Sequence, residues 1–583
     1  MKNLFKAVLG TATIAIVLAA NVSAKAQTPQ AVVVGSSALA TEAGQATILS
    51  SSIGATCVYT RSGSAAAPTT SASALDGRTG VPAASSTDYG NLYITWTPGG
   101  SGCASPDATV KIWTYLSTDS TVGVRCFFAN PKCTLQFGWA AGSAPAGSNR
   151  LQTGITSTIT ETALPSGIQT ALAGQPFTAA ATDIRPEDAK FATVRALTAC
   201  GTPVTPNSQY LGLGYATSGN VGSQIQSFFA TASSAPFNVL NFNVFGTDPF
   251  TSAAIPAFKV VDAGAAPIVV VVNPGLTGGF GSLLVQNISR NTLAGYLDGT
   301  YGHTNDVIPQ VFANSGNATT VIIREPLSGT YNTMEYNVAN RVDYTGSQDV
   351  GVNAVNAAAA GQAVPVLNCA GGVTGGLVNL NPLNESIIRA SGTTSKRQRA
   401  IGTGEELAEV RLINDSLGYG FWSAGNFGGF SGANGKYLTV DGVDPIQEVW
   451  QGGLIPTAGN GQIGNVTLAN VKNGSYPIWS KLRFVTSSTD TFTATLVNAA
   501  QNFLSPTQPD FVPVSSLFVL RSHFAPPTVA FSGTNVPANG GNAAGCTTAE
   551  IGGDVGGQVL SAQADGAYCK DNLLSTGQTG LRQ

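Results

Sequence analysis

Arg324, Ser328, Gly329 and Thr330 are the residues whose types and spacing most directly suggest chemistry. They lie in Arg324-Glu-Pro-Leu-Ser-Gly-Thr330, after the β-branched run Thr319-Thr-Val-Ile-Ile323 and before Tyr331-Asn-Thr-Met-Glu-Tyr-Asn-Val. The first run predicts a buried strand. In the second, Tyr331, Met334 and Val338 recur at helical spacing. Ser-Gly-Thr therefore opens a helix, where the first backbone N–H groups lack intrahelical partners and about half a positive charge accumulates. Such a terminus binds anions, and an arginine four residues upstream adds a bidentate fork for an oxyanion. The same residues also suit a capped helix with a surface arginine, and the stretch alone leaves both readings open.

Three further turns carry the same grammar. Ala31-Val-Val-Val34 ends in Gly35-Ser-Ser37, and Ala38 to Ala46 is helix-forming. Ala108-Thr-Val-Lys-Ile-Trp-Thr-Tyr115 alternates as a strand and runs through Ser117-Thr-Asp-Ser120 into an apolar periodic segment. Phe177-Thr-Ala-Ala-Ala181 runs into Thr182-Asp-Ile-Arg-Pro-Glu-Asp-Ala189, where Asp183 stands at the strand end and Pro-Glu-Asp suits a first helical turn. An ordinary βα turn and an acidic cap are the plainer readings of these residues taken singly. His303 reads as a loop residue, since His523 is the only other histidine.

The elements that would position these turns alternate as strand and helix through the middle of the chain, which predicts an α/β fold. Strands are expected at Phe237–Phe245, within Ala266-Pro-Ile-Val-Val-Val-Val-Asn273 and after Pro477, and a helix within Asn291–Gly299. Residues 60–90, 343–375 and 425–436 are rich in small residues and predict loop insertions.

Composition narrows the function classes. The chain has 583 residues, of which 10% are charged and 43% hydrophobic, with 69 glycines and a net charge of −3. That apolar fraction supports packed cores, and no basic patch points to nucleic acid. Met1-Lys-Asn-Leu-Phe-Lys6, an apolar run to Ala20 and small-residue cleavage sites ending at Ala24 or Ala26 form a secretory signal peptide. Cleavage after Ala26 removes three lysines and takes the net charge from −3 to −6. No cysteine near the cleavage site suggests a lipid anchor, and no later run reaches the roughly 18 apolar residues of a membrane helix. The expectation is export to the periplasm. Eight cysteines then predict disulfides. Proximity suggests Cys126–Cys133, Cys546–Cys569, Cys57–Cys103 and Cys200–Cys369, one of about 105 possible sets. The spacing contains no C-x-x-C, so no metal site is expected.

Taken together, the chain resembles the phosphate-binding periplasmic receptors of ABC transporters, a branch of the type II periplasmic binding proteins. The resemblance rests on Arg324-x-x-x-Ser328-Gly329-Thr330, on Ala266-Pro-Ile-Val-Val-Val-Val-Asn273, on Leu293-Ala-Gly-Tyr-Leu-Asp-Gly299, on Ser416-Leu-Gly-Tyr419 and on Ser475-Tyr-Pro-Ile478. It spans residues 30 to 525. It implies a two-lobed fold, with lobe one at 27–265, lobe two at 266–415, a return to lobe one at 416–530, and a Gly/Ala-rich tail at 531–583. Hinges would lie near 262–266 and 413–417. By the same resemblance Arg324, Ser328, Gly329 and Thr330 hold the anion from lobe two. Leu39 and Ala40 (backbone N–H groups), Ser120 and Asp183 hold it from lobe one. An ionised Asp183 accepts from a protonated phosphate and repels fully ionised sulfate. The expected function is phosphate capture without catalysis and without a cofactor, by a monomer that serves a permease and ATPase in the membrane. The alternatives are a receptor for sulfate, molybdate or tungstate, and a surface or matrix interaction protein on the same fold. A phosphatase is disfavoured by the lack of metal-binding clusters.

Overall fold

A computed structural model describes residues 27–61, 91–128, 132–148, 159–184, 258–297 except 276, 301–308, 316–324, 327–339, 396–400, 402–503 except 488, and 510–517, with single residues at 151, 186, 189 and 192. The expected strand at 237–245, the insertions at 62–90 and 343–375, the tail at 531–583, Cys200–Cys369 and Cys546–Cys569 lie outside them, whereas the expected loop at 425–436 is described and begins within a short helix, Ala424–Phe427.

The fold is mixed α/β. Its strands are β1 (Thr28–Ser36), β2 (Cys57–Arg61), β3 (Asn91–Trp96), β4 (Lys111–Thr118), β5 (Thr160–Glu161), β6 (Ala179–Thr182), β7 (Phe258–Val272) and β8 (Asn287–Ile288). They continue as β9 (Thr320–Arg324), β10 (Lys396–Ala400), β11 (Ser416–Phe421), β12 (Lys436–Tyr437), β13 (Thr439–Val440), β14 (Trp479–Ser487) and β15 (Val512–Pro513). All but β8 and β13 form one sheet, in the order β10-β9-β11-β7-β14-β6-β1-β4-β3-β2-β5, with β12 and β15 also on β7. β1 is parallel to β4 and β6, and β9 is parallel to β10 and β11. Parallel strands need crossover helices. The helices Ala40–Leu49, Ser120–Phe128, Gly329–Met334 and Thr403–Leu412 begin just beyond β1, β4, β9 and β10. The predicted turns therefore all fall at carboxyl ends of parallel strands, where open α/β sheets bind ligands.

β7 joins the two halves of the sheet. Its residues Phe258–Pro267 pair with β14, and Ile268–Val272 pair with β11. Pro267, which has no N–H to donate, stands at the change of partner. The expected hinge at 262–266 is thus interior to one unbroken strand, and 413–417 is the turn into β11, with Asp415 at φ 58°.

Two glycines are required by close approach. Gly35 has φ 133°, and a Cβ there would lie 2.0 Å from the Ala181 carbonyl oxygen. A Cβ on Gly123 would lie 2.5 Å from the Gly35 Cα. The helix Ser120–Phe128 can therefore press onto the ends of β1 and β6, which brings Ser120 to Asp183.

Cys57 and Cys103 form a disulfide. Cys126 and Cys133, expected to be bonded, are both buried thiols. The Cys133 N–H donates to the Cys126 carbonyl at 3.2 Å, so the two are neighbours without a covalent link. Residues read as strand or short helix from Glu405 are helix, because Gly402 at φ 90° starts a turn that Thr403 continues. Among the described residues no helix is long and apolar enough to cross a membrane, and no cluster of three or more His, Cys, Asp or Glu could hold a metal.

One buried pair makes stability depend on pH. Glu42, in the first helix, is 1% exposed and faces the carboxyl of Asp510, which is 5% exposed. The Asp510 Oδ1 accepts from the Ala424 N–H at 2.7 Å. Burial, then the proximity of Asp510, push the Glu42 carboxyl well up, and burial pushes Asp510 up. A carboxyl raised by folding adds stability below its unfolded value of about 4 and loses it as pH rises through the folded value. Urea unfolding of wild type should therefore show stability falling between pH 5 and pH 8. Glu42→Gln, which supplies an amide donor to Asp510, should be more stable than wild type at pH 8 by about 1–3 kcal/mol. Identical pH slopes for the two proteins would refute a stability contribution from protonated Glu42.

Candidate anion-binding site

The turns after β4, β6 and β9 and the helix start after β10 meet at one place. Arg324 ends β9 and is 1% exposed. A buried guanidinium must be paired, and this one reaches across the sheet ends. Its Nη2 donates to Asp119 Oδ1 at 3.0 Å, and its Nη1 donates to Thr403 Oγ1 at 2.8 Å. The Arg324 backbone N–H donates to the Tyr419 hydroxyl at 3.3 Å, and the Tyr419 N–H donates to Glu406 Oε1 at 3.0 Å. Arg324 thus ties its own strand to the turn after β4 and to the helix after β10.

Ser328 caps the next helix. Its hydroxyl accepts from the Tyr331 N–H at 3.4 Å, and its carbonyl accepts from the Asn332 N–H at 3.1 Å. Gly329 and Thr330 form the buried first turn, and the helix passes into a π-helical turn at Glu335–Ala339. Leu327, just before the cap, packs into the apolar cluster that contains Val34, Leu116 and Val122. Its carbonyl accepts from the Thr121 hydroxyl and from the Thr121 N–H.

Ser120 and Asp183 stand directly opposite. The Ser120 hydroxyl donates to Asp183 Oδ1, and the Asp183 N–H donates to Ser120 Oγ at 3.2 Å. Gly329 lies against both. A Cβ placed on it would fall 1.6 Å from Asp183 Oδ1 and 2.5 Å from Ser120 Oγ. Any side chain at position 329 would force Asp183 and Ser120 to move. Asp183 is 2% exposed, and its carbonyl accepts from the Ser480 hydroxyl. Burial pushes its carboxyl up to about 7, against the pull of its own backbone N–H, Arg324 and Arg483. The group therefore changes charge within the physiological range.

The structure brings together Arg324, Ser328, Gly329, Thr330, Ser120 and Asp183. The turn after β1 stands to one side. Leu39 is fully buried in the core, and the Ala40 N–H donates to the Ser37 carbonyl at 3.4 Å. Ser37, Ala40 and Thr41, with Ser117 and Thr403, line a cavity of about 70 Å³. Thr403 joins this cavity to Arg324. Its size suits a few waters or one small ion, far below the roughly 300–1,000 Å³ of a drug-sized pocket. His303 caps a short 3-10 turn, where its N–H and that of Gly302 donate to Asp306 Oδ2 at 2.9 Å each.

Asp119, Thr403 and Arg483 belong to the site's surroundings but were not among the expected residues. Asp119 immediately precedes Ser120 in the same strand-to-helix turn, where it reads as a cap. Thr403 follows Gly402, another helix-opening pair. Lys481 and Arg483 alternate within an otherwise uncharged strand, and two cations at that spacing in a buried strand are the signal that could have found Arg483.

No protein-family model matches the chain, and no curated protein matches it. Among solved structures it is similar to a phosphate-binding protein from Stenotrophomonas maltophilia, at 13% identity over 72% of this chain and 87% of that one, with a TM-score of 0.29. It is similar to an ancestral soluble variant of the human phosphate binding protein, at 12% identity over 65% of this chain and 90% of that one, TM-score 0.28. It is also similar to an ABC-type phosphate transport receptor from Vibrio cholerae, at 13% identity over 42% of this chain and 68% of that one, TM-score 0.22. Each likeness is distant.

Proposed function

We propose that the protein is a periplasmic solute-binding protein that captures inorganic phosphate between two α/β lobes and delivers it to a membrane permease and ATPase. The observation that carries the reading is the contact of Gly329 with both Asp183 and Ser120, beside the buried Arg324. That contact gathers, in one water-poor place, a cation, two hydroxyls, a helix start and a carboxyl. A tetrahedral oxyanion needs such a donor shell, and burial makes each charge-assisted hydrogen bond stronger than it would be in water. Ligand entry separates the Gly329 turn from Asp183 and Ser120, with the return strands β7 and β14 carrying the motion.

Asp183 gives the site its selectivity. Ionised, it only accepts, so it binds the P–OH of a protonated phosphate and repels an anion that has no proton to offer. Protonated, it donates, and a fully ionised oxyanion becomes acceptable. Its carboxyl, raised to about 7, crosses between these roles near neutral pH.

Titration calorimetry at pH 8 should give heat with phosphate and little with sulfate, molybdate or tungstate. Tight sulfate binding without phosphate binding would sink the reading. Asp183→Asn should weaken phosphate binding by roughly ten- to a hundred-fold, the loss of about 1.5–3 kcal/mol for one charged hydrogen bond.

The preference should also move with pH. As pH falls from 8 to 6, Asp183 gains its proton and the phosphate-to-sulfate affinity ratio of wild type should fall, with its midpoint near 7. The ratio in Asp183→Asn should stay flat over that range, apart from the titration of phosphate itself. A wild-type ratio that does not fall would remove Asp183 from the selectivity argument.

A further inference from the structure

The cavity beside the β1 turn is walled by both halves of the sheet. Ser37 and Thr41 come from that turn and its helix, Tyr93 from β3, Ser117 from β4, Thr403 from the helix after β10 and Asn426 from the short helix Ala424–Phe427. Tyr93, Ser117 and Thr403 are 4%, 5% and 3% exposed, so this part of the wall is set deep in the fold. Two of its sides lead to the Arg324 guanidinium. Thr403 Oγ1 accepts from Nη1 at 2.8 Å, and Asp119, two residues beyond Ser117, accepts from Nη2 at 3.0 Å. The cavity therefore adjoins the cation of the anion site without being part of the contact between Gly329, Asp183 and Ser120.

Its lining is mostly polar and carries no charged side chain among the described residues. A charged group held there would lack a counter-ion, which makes its burial costly. Hydroxyls, which both donate and accept, match other hydroxyls. Tyr93 adds an independent sign. Its ring stacks on that of Tyr115, with centroids 5.6 Å apart and 24° between the planes, and the Tyr115 hydroxyl donates to the Ser36 carbonyl. Tyr115 is thereby satisfied, whereas the buried Tyr93 hydroxyl has no hydrogen-bond partner among the described residues. Buried polar groups are normally paired, so an orphan in a cavity wall points to a partner from outside the chain. Size limits that partner. Each water-sized atom needs roughly 10–15 Å³, so about 70 Å³ takes about five non-hydrogen atoms.

We propose that this cavity is a second subsite, which takes the small, uncharged, hydroxyl-bearing substituent of a phosphate monoester whose phosphoryl group sits beside Arg324. The inference rests on the phosphate-receptor reading above and widens its ligand class from inorganic phosphate to esters of a three-carbon polyol. Such a substituent has three carbons and two free hydroxyls, which matches the space. One of those hydroxyls gives the Tyr93 O–H the acceptor it lacks. An ammonium or carboxylate on the substituent is refused for want of a counter-ion. Below neutral pH the Asp183 carboxyl, raised to about 7, holds its proton and can donate to the phosphoryl oxygens of an ester.

The test uses the full chain in three forms: wild type, Tyr93→Phe, and Asn426→Phe, which places a large side chain in the cavity wall. Titration calorimetry at about pH 6 compares inorganic phosphate, methyl phosphate, glycerol 3-phosphate and phosphoethanolamine. Methyl phosphate has the same ester linkage without the hydroxyls. Wild type should bind glycerol 3-phosphate at least about ten-fold more tightly than methyl phosphate or phosphoethanolamine. That preference should fall about five-fold in Tyr93→Phe, the worth of roughly one hydrogen bond, and vanish in Asn426→Phe. Affinity for inorganic phosphate should be unchanged in both variants, which also shows that they fold; should one variant lose it, the other decides. If wild type binds inorganic phosphate without preferring glycerol 3-phosphate, or if the preference is undiminished in either folded variant, this inference falls and the receptor reading stands. If wild type gives no heat with inorganic phosphate, the receptor reading falls and this inference with it.

Discussion

The buried guanidinium of Arg324 is the constraint on which the arrangement depends. Moving such a charge out of water costs several kcal/mol, and only close partners offset it. Asp119 and Thr403 are those partners, and they come from turns far away in sequence. Because the pair is sealed, removing either charge would strand the other at a cost of about 3–5 kcal/mol. The pair therefore fixes register between the β9 turn, the β4 turn and the helix after β10. The contact of Gly329 with Asp183 and Ser120 is possible only once that register is set.

The sheet makes the same meeting geometrically natural. β1, β4 and β6 run parallel, as do β9, β10 and β11, and the two sets are bridged by the antiparallel strands β7 and β14. The carboxyl ends of both sets carry the helix starts. Small residues then permit the approach: Gly35, Gly123 and Gly329 each stand where a Cβ would collide with another element. The apolar side chain of Leu327 adds a non-directional contribution, since it is buried among residues of β1, β4 and the Ser120 helix rather than with its own strand.

Much of this was legible in the sequence because its physics is local. β-branched runs closed by Gly, Ser and Thr marked β1, β4 and β9 with their helices, and spacing singled out Arg324 to Thr330 as a candidate while leaving a capped helix with a surface arginine open. The partners of that arginine were not legible. Asp119 and Thr403 look like helix caps in their own segments, and nothing local shows that a guanidinium arrives from β9. The continuity of β7 was hidden for a similar reason. Gly264 and Pro267 suggest a break, yet Gly264 is where β15 crosses closely, a Cβ there lying 2.2 Å from the Val512 carbonyl oxygen, and Pro267 is where the strand changes neighbours. Proximity in sequence also misjudged the cysteines. The pair 46 residues apart is bonded, because Cys57 and Cys103 are brought to 5.3 Å between Cα atoms, while the closer pair Cys126 and Cys133 remains as thiols.

Charge placement links stability to recognition. Two carboxyl systems, Asp183 and the Glu42–Asp510 pair, are raised chiefly by burial, so folding favours their protonated forms. Glu42 faces Asp510, and the Ala424 N–H and the Ser423 hydroxyl pull the Asp510 carboxyl back down. Asp183 has two arginines that pull the other way. The difference separates a group that is merely buried from one whose charge is held in balance. A carboxyl poised between donor and acceptor can tell a protonated oxyanion from an unprotonated one.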